Sequence, residues 1–144
     1  MVEPALFGPL DALVAPVIEY VVLVLVVANM GTRLLAHRAH VEQADSGADA
    51  LSRHRLHEAS NALLVLGSFY YLTLHLHAGT VLSVIVLGTV LADFFEFEGR
   101  QLELRQDWAL ERPKAALVGS GLALAYAAFQ SLFFLVKPFW ELIV

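Results

Sequence analysis

Four long apolar blocks restrict what this sequence can fold into. They are separated by segments that hold nearly all of the charged residues. A helix that crosses the roughly 30 Å hydrocarbon core of a bilayer needs about 20 residues, and apolar blocks of that length are uncommon in soluble domains. The chain is 58% hydrophobic and 16% charged, whereas soluble domains average roughly 45–50% and about 25%. We therefore predict an all-α, polytopic membrane protein.

The blocks predict four transmembrane helices in an up-down bundle, which forms one membrane domain over residues 1–144. Lipid favours helices because every backbone polar group must be satisfied within the spanning segment. We expect helices 2 and 3 to extend into the cytoplasm, helix 3 with support from the i,i+4 pair of Glu96 and Arg100. The predicted spans cover approximately residues 16–36, 59–75, 80–97 and 114–136.

Positive charge is distributed unevenly between the two sides of the predicted bundle. Of the nine Lys and Arg residues, only Lys137 lies outside the segments around the two long loops. Loops rich in Lys and Arg stay in the cytoplasm. We therefore predict a multi-pass protein of the cytoplasmic (cell) membrane with both termini outside.

Composition excludes several classes of function. The chain has no cysteine, which rules out disulfides, thiolate metal sites and thiol nucleophiles. It has no G-x-S-x-G motif, no phosphate-binding glycine loop and no basic stripe that suits nucleic acid. We expect no catalytic activity of its own, no nucleic-acid partner, and no cofactor other than the metal ion considered below.

Polar residues within predicted spans are costly in lipid and are often functional. One interpretation is that they form interhelical hydrogen bonds, each worth about 1 kcal/mol. The other is a proton or cation path along Asn29, Asn61 and Asp93, which requires that all three face one lumen. The intramembrane candidates are Glu19, Asn29, Asn61, Asp93 and Gln130.

Two pairs of potential metal ligands have helical spacing. His54 and His57 are spaced i,i+3, as are Asp93 and Glu96, so each pair shares a helix face. Both pairs are expected at the inner membrane level, where they would form a nitrogen and oxygen site suited to zinc, iron or manganese. The alternative is a solvated face, rich in His and Arg, that contacts lipid headgroups or a partner.

Small residues recur at four-residue spacing in helices 3 and 4. Such patterns let helix backbones approach closely in lipid. They would either pack the bundle internally or, on helix 4, also dock a partner. The helix-packing candidates are Gly88, Ala92, Gly119, Ala123 and Ala127.

Several distinctive stretches are similar to those of a known family. They include ALFGPLDAL near the N-terminus, DFFEFE in helix 3 and QSLFFLV in helix 4. On these, nearly the whole chain resembles a family of small uncharacterised four-helix membrane proteins of halophilic archaea. The resemblance implies a haloarchaeal cytoplasmic-membrane location and supplies no catalytic residues. The acid-rich, lysine-poor composition, with a net charge of −5, agrees with adaptation to high salt.

Three functions remain open from the sequence. Short loops, small-residue helix faces and the absence of a catalytic constellation favour a non-catalytic accessory or assembly subunit of a larger membrane complex. Related haloarchaeal families suggest a respiratory-chain oxidoreductase as that complex. The alternatives are a homo-oligomeric ion or proton channel or transporter, and a membrane metal-binding or redox protein. We expect membrane lipids and other membrane subunits as partners, and a homo-oligomer stays open.

Overall fold

The computed structural model describes residues 8–143, except for the side chains of Phe134 and Val136, and within that range it contains helices and no strand. The predicted all-α class is therefore confirmed. A 3-10 turn, Ala15–Val17, joins the first two helices. The α-helices are α1 Pro9–Leu13, α2 Ile18–Asp45, α3 Arg55–Leu74, α4 Leu76–Arg105 and α5 Lys114–Ile143.

Three helical stretches are long and apolar enough to cross a membrane: Pro9–Asp45, Leu76–Arg105 and Lys114–Phe133. This is compatible with a membrane location. The structure does not establish the predicted count of four, because α3 is not among these three stretches. Its first turns carry His57, Glu58 and Asn61, which dilute the apolar character of the segment.

Helices α2 to α5 form a closed ring in which each packs against the next. The packed pairs are α2 with α3, α3 with α4, α4 with α5, and α5 with α2. The short connection between α3 and α4, at His75, makes these two helices antiparallel neighbours, as in an up-down bundle. Gly79 permits their contact, because a Cβ there would clash with the backbone of Leu72.

Helix α2 continues well past residue 36, where its predicted span ends. The intervening sequence, AHRAHVEQA, contains neither Gly nor Pro, so nothing in it stops a helix. The helix ends just before Gly47, whose positive φ of 79° suits a glycine that follows a C-cap. The N–H of Gly47 donates to the carbonyl of Ala44 at 3.1 Å.

The interior of the bundle has two halves. The half beside the α3–α4 turn, which we call the apolar end, is filled mainly by hydrophobic side chains. The half beside the connections 46–54 and 106–113, which we call the charged end, buries polar and charged groups. The apolar core consists of Ile18, Val22, Val26, Leu64, Tyr71, Leu82, Val86, Ala123 and Ala127.

The predicted helix-packing residues divide between the inside and the outside of the bundle. Ala123 and Ala127 are buried in the core, and Gly119 lies directly against Thr89 of α4. Gly88, by contrast, is exposed and has open space where a Cβ would point, and Ala92 is half-buried. The stripe on α5 therefore lets α4 and α5 approach closely within one chain.

We predict that Gly119→Ala destabilises the bundle whereas Gly121→Ala does not. A methyl group at residue 119 meets Thr89, and overpacking of this kind costs about 1–3 kcal/mol. Gly121 faces open space, so the methyl group there gains up to about 1 kcal/mol in helix propensity. Unfolding by SDS titration in mixed micelles, followed by circular dichroism, measures both. Equal stabilities of the two variants would contradict the packing.

Candidate functional site

Asp93 of α4 is the acceptor around which the charged end is organised. It is 6% exposed. Its Oδ2 lies 2.6 Å from Nε2 of His57 and accepts a hydrogen bond of 2.9 Å from Nδ2 of Asn61, both on α3. Its Oδ1 forms an ion pair with Nε of Arg33 on α2 at 3.4 Å. One carboxylate thus connects three helices.

Arg33 extends the network to the fourth helix. Its side chain is 1% exposed. Nη2 donates to Oδ1 of Asn29 at 2.7 Å, and Nη1 donates to the hydroxyl of Ser120 on α5. Each nitrogen of the guanidinium therefore has a partner, and the positive charge faces the negative charge of Asp93. A buried charge is tolerated when it is paired and hydrogen-bonded in this way.

The two asparagines complete the hydrogen bonding between α2 and α3. Nδ2 of Asn29 donates to Oδ1 of Asn61 at 2.8 Å and to the hydroxyl of Ser60 at 3.1 Å. Nδ2 of Asn61 then donates to Asp93, so both ends of the Asn61 amide are used. The hypothesis of a proton or cation path required that Asn29, Asn61 and Asp93 face one lumen. In the structure, these three side chains do converge inside the bundle.

Helical spacing explains why these side chains meet. Asn29 and Arg33 are spaced i,i+4 on α2, and His57 and Asn61 have the same spacing on α3, so each pair projects from one face of its helix. The faces turn inward because the flanking positions on the same helix face are core residues. One turn before Asn29 on α2 lies Val26, which is buried in the apolar core.

Thr32 contacts the other side of the His57 ring. Its hydroxyl lies 2.9 Å from Nδ1 of His57 and 3.0 Å from the carbonyl oxygen of Asn29. A hydroxyl, an imidazole and a carboxylate in series are also found in hydrolase triads. Here Asp93 is shared with Arg33, and the cavity of about 90 Å³ beside His57 is lined by Asp93 and not by Thr32. The arrangement therefore differs from a triad in which the hydroxyl faces the substrate.

A second polar layer holds the connection between α2 and α3. His40 of α2 contacts the carbonyl of Ser52 through Nε2 at 2.9 Å and accepts from Nε of Arg100 at 3.3 Å. Gln101 of α4 bonds both the N–H and the carbonyl of Leu51, at 2.9 and 2.7 Å. The connection is thereby fixed against α2 and α4.

The structure separates the four predicted metal ligands. His57 and Asp93 are in contact, but His54 lies at the N-cap of α3, where its Nδ1 accepts from the N–H of His57. Glu96 caps α5, accepting from the N–H groups of Ala115 and Ala116 at 3.1 and 2.9 Å. Among the residues that the structure describes, no three His, Asp or Glu side chains are arranged to hold a metal ion. His54 and Glu96 instead cap the N-termini of α3 and α5.

The other two intramembrane candidates lie apart from this network. Glu19 is at the start of α2, near the apolar end, where its Oε1 lies 3.7 Å from Nε2 of His75. Gln130 is half-buried on α5. Neither side chain contacts Asp93 or its partners, so the predicted set of five contributes three members to the site.

Sequence reasoning missed four residues of the network: Arg33, Thr32, Ser60 and Ser120. Arg33 follows an apolar block, which is also typical of a cation that marks a membrane exit. Its i,i+4 spacing from Asn29 was the available signal that it faces inward. Nothing in the sequence distinguished Ser120 from the other small residues of its helix.

We predict that Asp93→Asn lowers the free energy of unfolding by about 3–5 kcal/mol, because it leaves the buried guanidinium of Arg33 without a counter-charge. The double variant Arg33→Met, Asp93→Leu removes both charges and should recover most of that loss. SDS titration of the single and double variants measures the coupling. A loss of less than about 1 kcal/mol in Asp93→Asn would contradict a stabilising ion pair.

Comparison with known proteins places the chain in a family without giving it a function. Residues 3–144 match the family described as a domain of unknown function, DUF7313. No curated protein and no solved structure matches the chain. Because the match covers nearly all 144 residues, this protein belongs to the DUF7313 family.

Proposed function

We propose that this protein is a non-catalytic accessory or assembly subunit of a larger complex in the cell membrane. One observation carries the proposal: the C-terminal part of α5 leaves the bundle. Every residue from Leu135 to Ile143 whose side chain the structure describes is exposed. Such an end has no packing partner within the described chain and is available to another subunit.

We call this C-terminal part of α5, Leu135 to Ile143, the overhang. The register of α5 against α4 explains why it extends past the bundle. Glu96 of α4 caps the first turn of α5 at Ala115, which sets the two antiparallel helices side by side. Counted in residues, the distance from Glu96 back to Leu76, where α4 begins, equals the distance from Ala115 forward to Leu135 in α5. The rest of α5 has no counterpart in α4 and extends roughly 12 Å further, at about 1.5 Å per residue.

The overhang is apolar on several sides. Its large side chains are 54–84% exposed, whereas Lys137 and Glu141 are its only charged residues. Aromatic residues at a membrane interface are common anchors, and a larger apolar surface of this kind is typical of a protein interaction site. The exposed side chains are Leu135, Phe139, Trp140, Leu142 and Ile143.

The interior supports a structural role. The side chains of Arg33, Asp93 and Asn61 are engaged with one another or with neighbouring helices, so the network fixes the relative positions of α2 to α5. A rigid bundle with one projecting helix end suits a subunit that stabilises an assembly. The transporter alternative receives less support, because the core between the network and the apolar end consists mainly of hydrophobic side chains.

We also propose the placement of the chain in the membrane. Helix α3 is taken as the fourth span, because it is enclosed by α2 and α4 along the bundle. The charged end is assigned to the cytoplasm, since it holds all but one of the Lys and Arg residues. Both termini then lie outside. The acid-rich composition supports an origin in a high-salt organism.

Introduced cysteines test this placement, because the native chain has none. In intact cells, a membrane-impermeant maleimide should label His77→Cys, in the first turn of α4, and should leave Ser46→Cys unlabelled until the cells are lysed. Both positions are exposed, so any difference in labelling reports the side of the membrane. The reverse pattern would place the charged end outside and refute the orientation.

Affinity purification from native membranes in mild detergent tests the proposed function. We expect a defined, stoichiometric set of membrane subunits, with a respiratory-chain oxidoreductase as the first complex to look for by mass spectrometry. The triple variant Phe139→Ala, Trp140→Ala, Ile143→Ala should lose these subunits. It removes apolar surface from the overhang, where these three side chains are 54–82% exposed.

A matched triple variant provides the control. Val24→Ala, Leu66→Ala and Val84→Ala remove side chains that are 63–65% exposed on other faces of the bundle, and this variant should retain the co-purifying subunits. Recovery of the native chain alone, as a homo-oligomer, would refute the accessory role. Equal losses in both triple variants would refute the assignment of the docking surface to the overhang.

A further inference from the structure

Arg100 of α4 is a buried cation that the network around Asp93 leaves unsatisfied. The residue is 5% exposed, and its Nη1 is buried without a hydrogen-bond partner. Its only hydrogen bond within the described chain runs from Nε to Nδ1 of His40, at 3.3 Å, and the structure gives it no ion pair. An arginine stays charged in proteins. Asp93, Glu96 and Glu103 lie within electrostatic range of Arg100, but none of them forms an ion pair with it, and a buried charge without a direct counter-ion is costly. The site therefore favours an additional anion.

A cavity of about 330 Å³ lies beside Arg100, between α4 and the first turn of α5. Arg112, which precedes α5 and forms no ion pair within the described residues, contributes a second guanidinium to its lining. Gly99 lines the same cavity and has open space where a Cβ would point. The apolar part of the lining includes Ala92 and Phe95, which also belong to α4.

Three glutamates also line this cavity, and two of them are committed elsewhere. Glu96 uses both carboxylate oxygens on the backbone of α5. Glu103 accepts the N–H of Glu111 at 2.9 Å. The carboxylate of Glu111 is exposed and has no basic partner within the described residues. The arginines therefore offer free donors, while most of the acidic groups are already hydrogen-bonded.

A second unsatisfied group lies near the same place. Nδ1 of His37 on α2 is buried without a partner, and His37 is within electrostatic range of both Arg100 and Arg112. Two of the three unpartnered buried polar atoms found in the described chain thus lie at the charged end of the bundle, one on α2 and one on α4. Buried polar groups are normally hydrogen-bonded, so each exception calls for an explanation.

We propose that this cavity binds the phosphodiester headgroup of a membrane phospholipid, with the phosphate on Arg100 and Arg112. Arginine donates to phosphate oxygens in a forked geometry that suits this role. The inference rests on the membrane placement proposed above, which puts the cavity at the cytoplasmic interface. It does not depend on the identity of any partner subunit.

The apolar side of the cavity selects a lipid rather than a free phosphate. Gly88, Ala92, Phe95 and Gly99 succeed one another at i, i+4, i+7 and i+11 along one face of α4. Gly88 and Gly99 have open space where a Cβ would point, and Phe95 between them is 67% exposed, so this face of α4 presents an uncovered apolar strip from the cavity toward the middle of the span. One acyl chain lies along this strip while its headgroup occupies the cavity.

Native mass spectrometry of the detergent-solubilised full chain, with phosphatidylglycerol added, tests the site. We expect one retained lipid per chain, and at least tenfold weaker retention in Gly99→Leu, which fills the cavity, and in Arg112→Gln, which removes an exposed cation. Glu111→Gln should strengthen retention, because it removes a negative charge from the cavity lining. Diacylglycerol, which lacks the phosphate, should not be retained.

Matched controls separate this site from general effects. Gly121→Leu places the same side chain at another exposed glycine, and Arg55→Gln removes an exposed cation from α3; both should retain the lipid as the native chain does. Unchanged retention in Gly99→Leu, or equal retention of diacylglycerol, would overturn the proposal. Displacement of the lipid by millimolar inorganic phosphate would reassign the cavity to a free anion. Failure of the membrane placement would appear separately, as a chain that is soluble without detergent.

Discussion

The arrangement of the bundle depends on the buried ion pair between Arg33 and Asp93. A charge buried this deeply is tolerated only when its counter-charge and hydrogen-bond partners are held in position. Asp93 contacts His57 and Asn61 of α3, and Arg33 donates a hydrogen bond to Ser120 of α5. All four long helices are therefore fixed in register at one level. A shift of any helix by one turn would leave a buried polar group without a partner.

The packing on either side of this level follows from different forces. Toward the apolar end, small and branched side chains fill the core, and Gly119 brings α5 against Thr89. In lipid, such contact relies on close packing rather than on the hydrophobic effect. Toward the charged end, hydrogen bonds from His40 and Gln101 hold the connection to α3. The interior is thus specified by polar contacts at one end and by shape at the other.

The features that remain unsatisfied lie at the two ends of the bundle. At the charged end, Glu96 caps α5, and Arg100, which forms no ion pair within the described chain, lines a cavity together with Arg112 and three glutamates. At the apolar end, the same capping sets the register that carries α5 beyond α4. One hydrogen-bonding arrangement therefore positions both the proposed lipid site and the proposed docking surface.

The sequence by itself determined the helical class and the candidates Asn29, Asn61 and Asp93, because hydrophobic periodicity and a polar residue in an apolar block are local properties. Only the tertiary structure decided the partners of those residues. It paired Arg33 with Asp93, and it assigned Glu96 to the α5 backbone instead of a metal site. The physical reason is that spacing along a helix defines a face, whereas the group that meets that face belongs to a distant part of the chain.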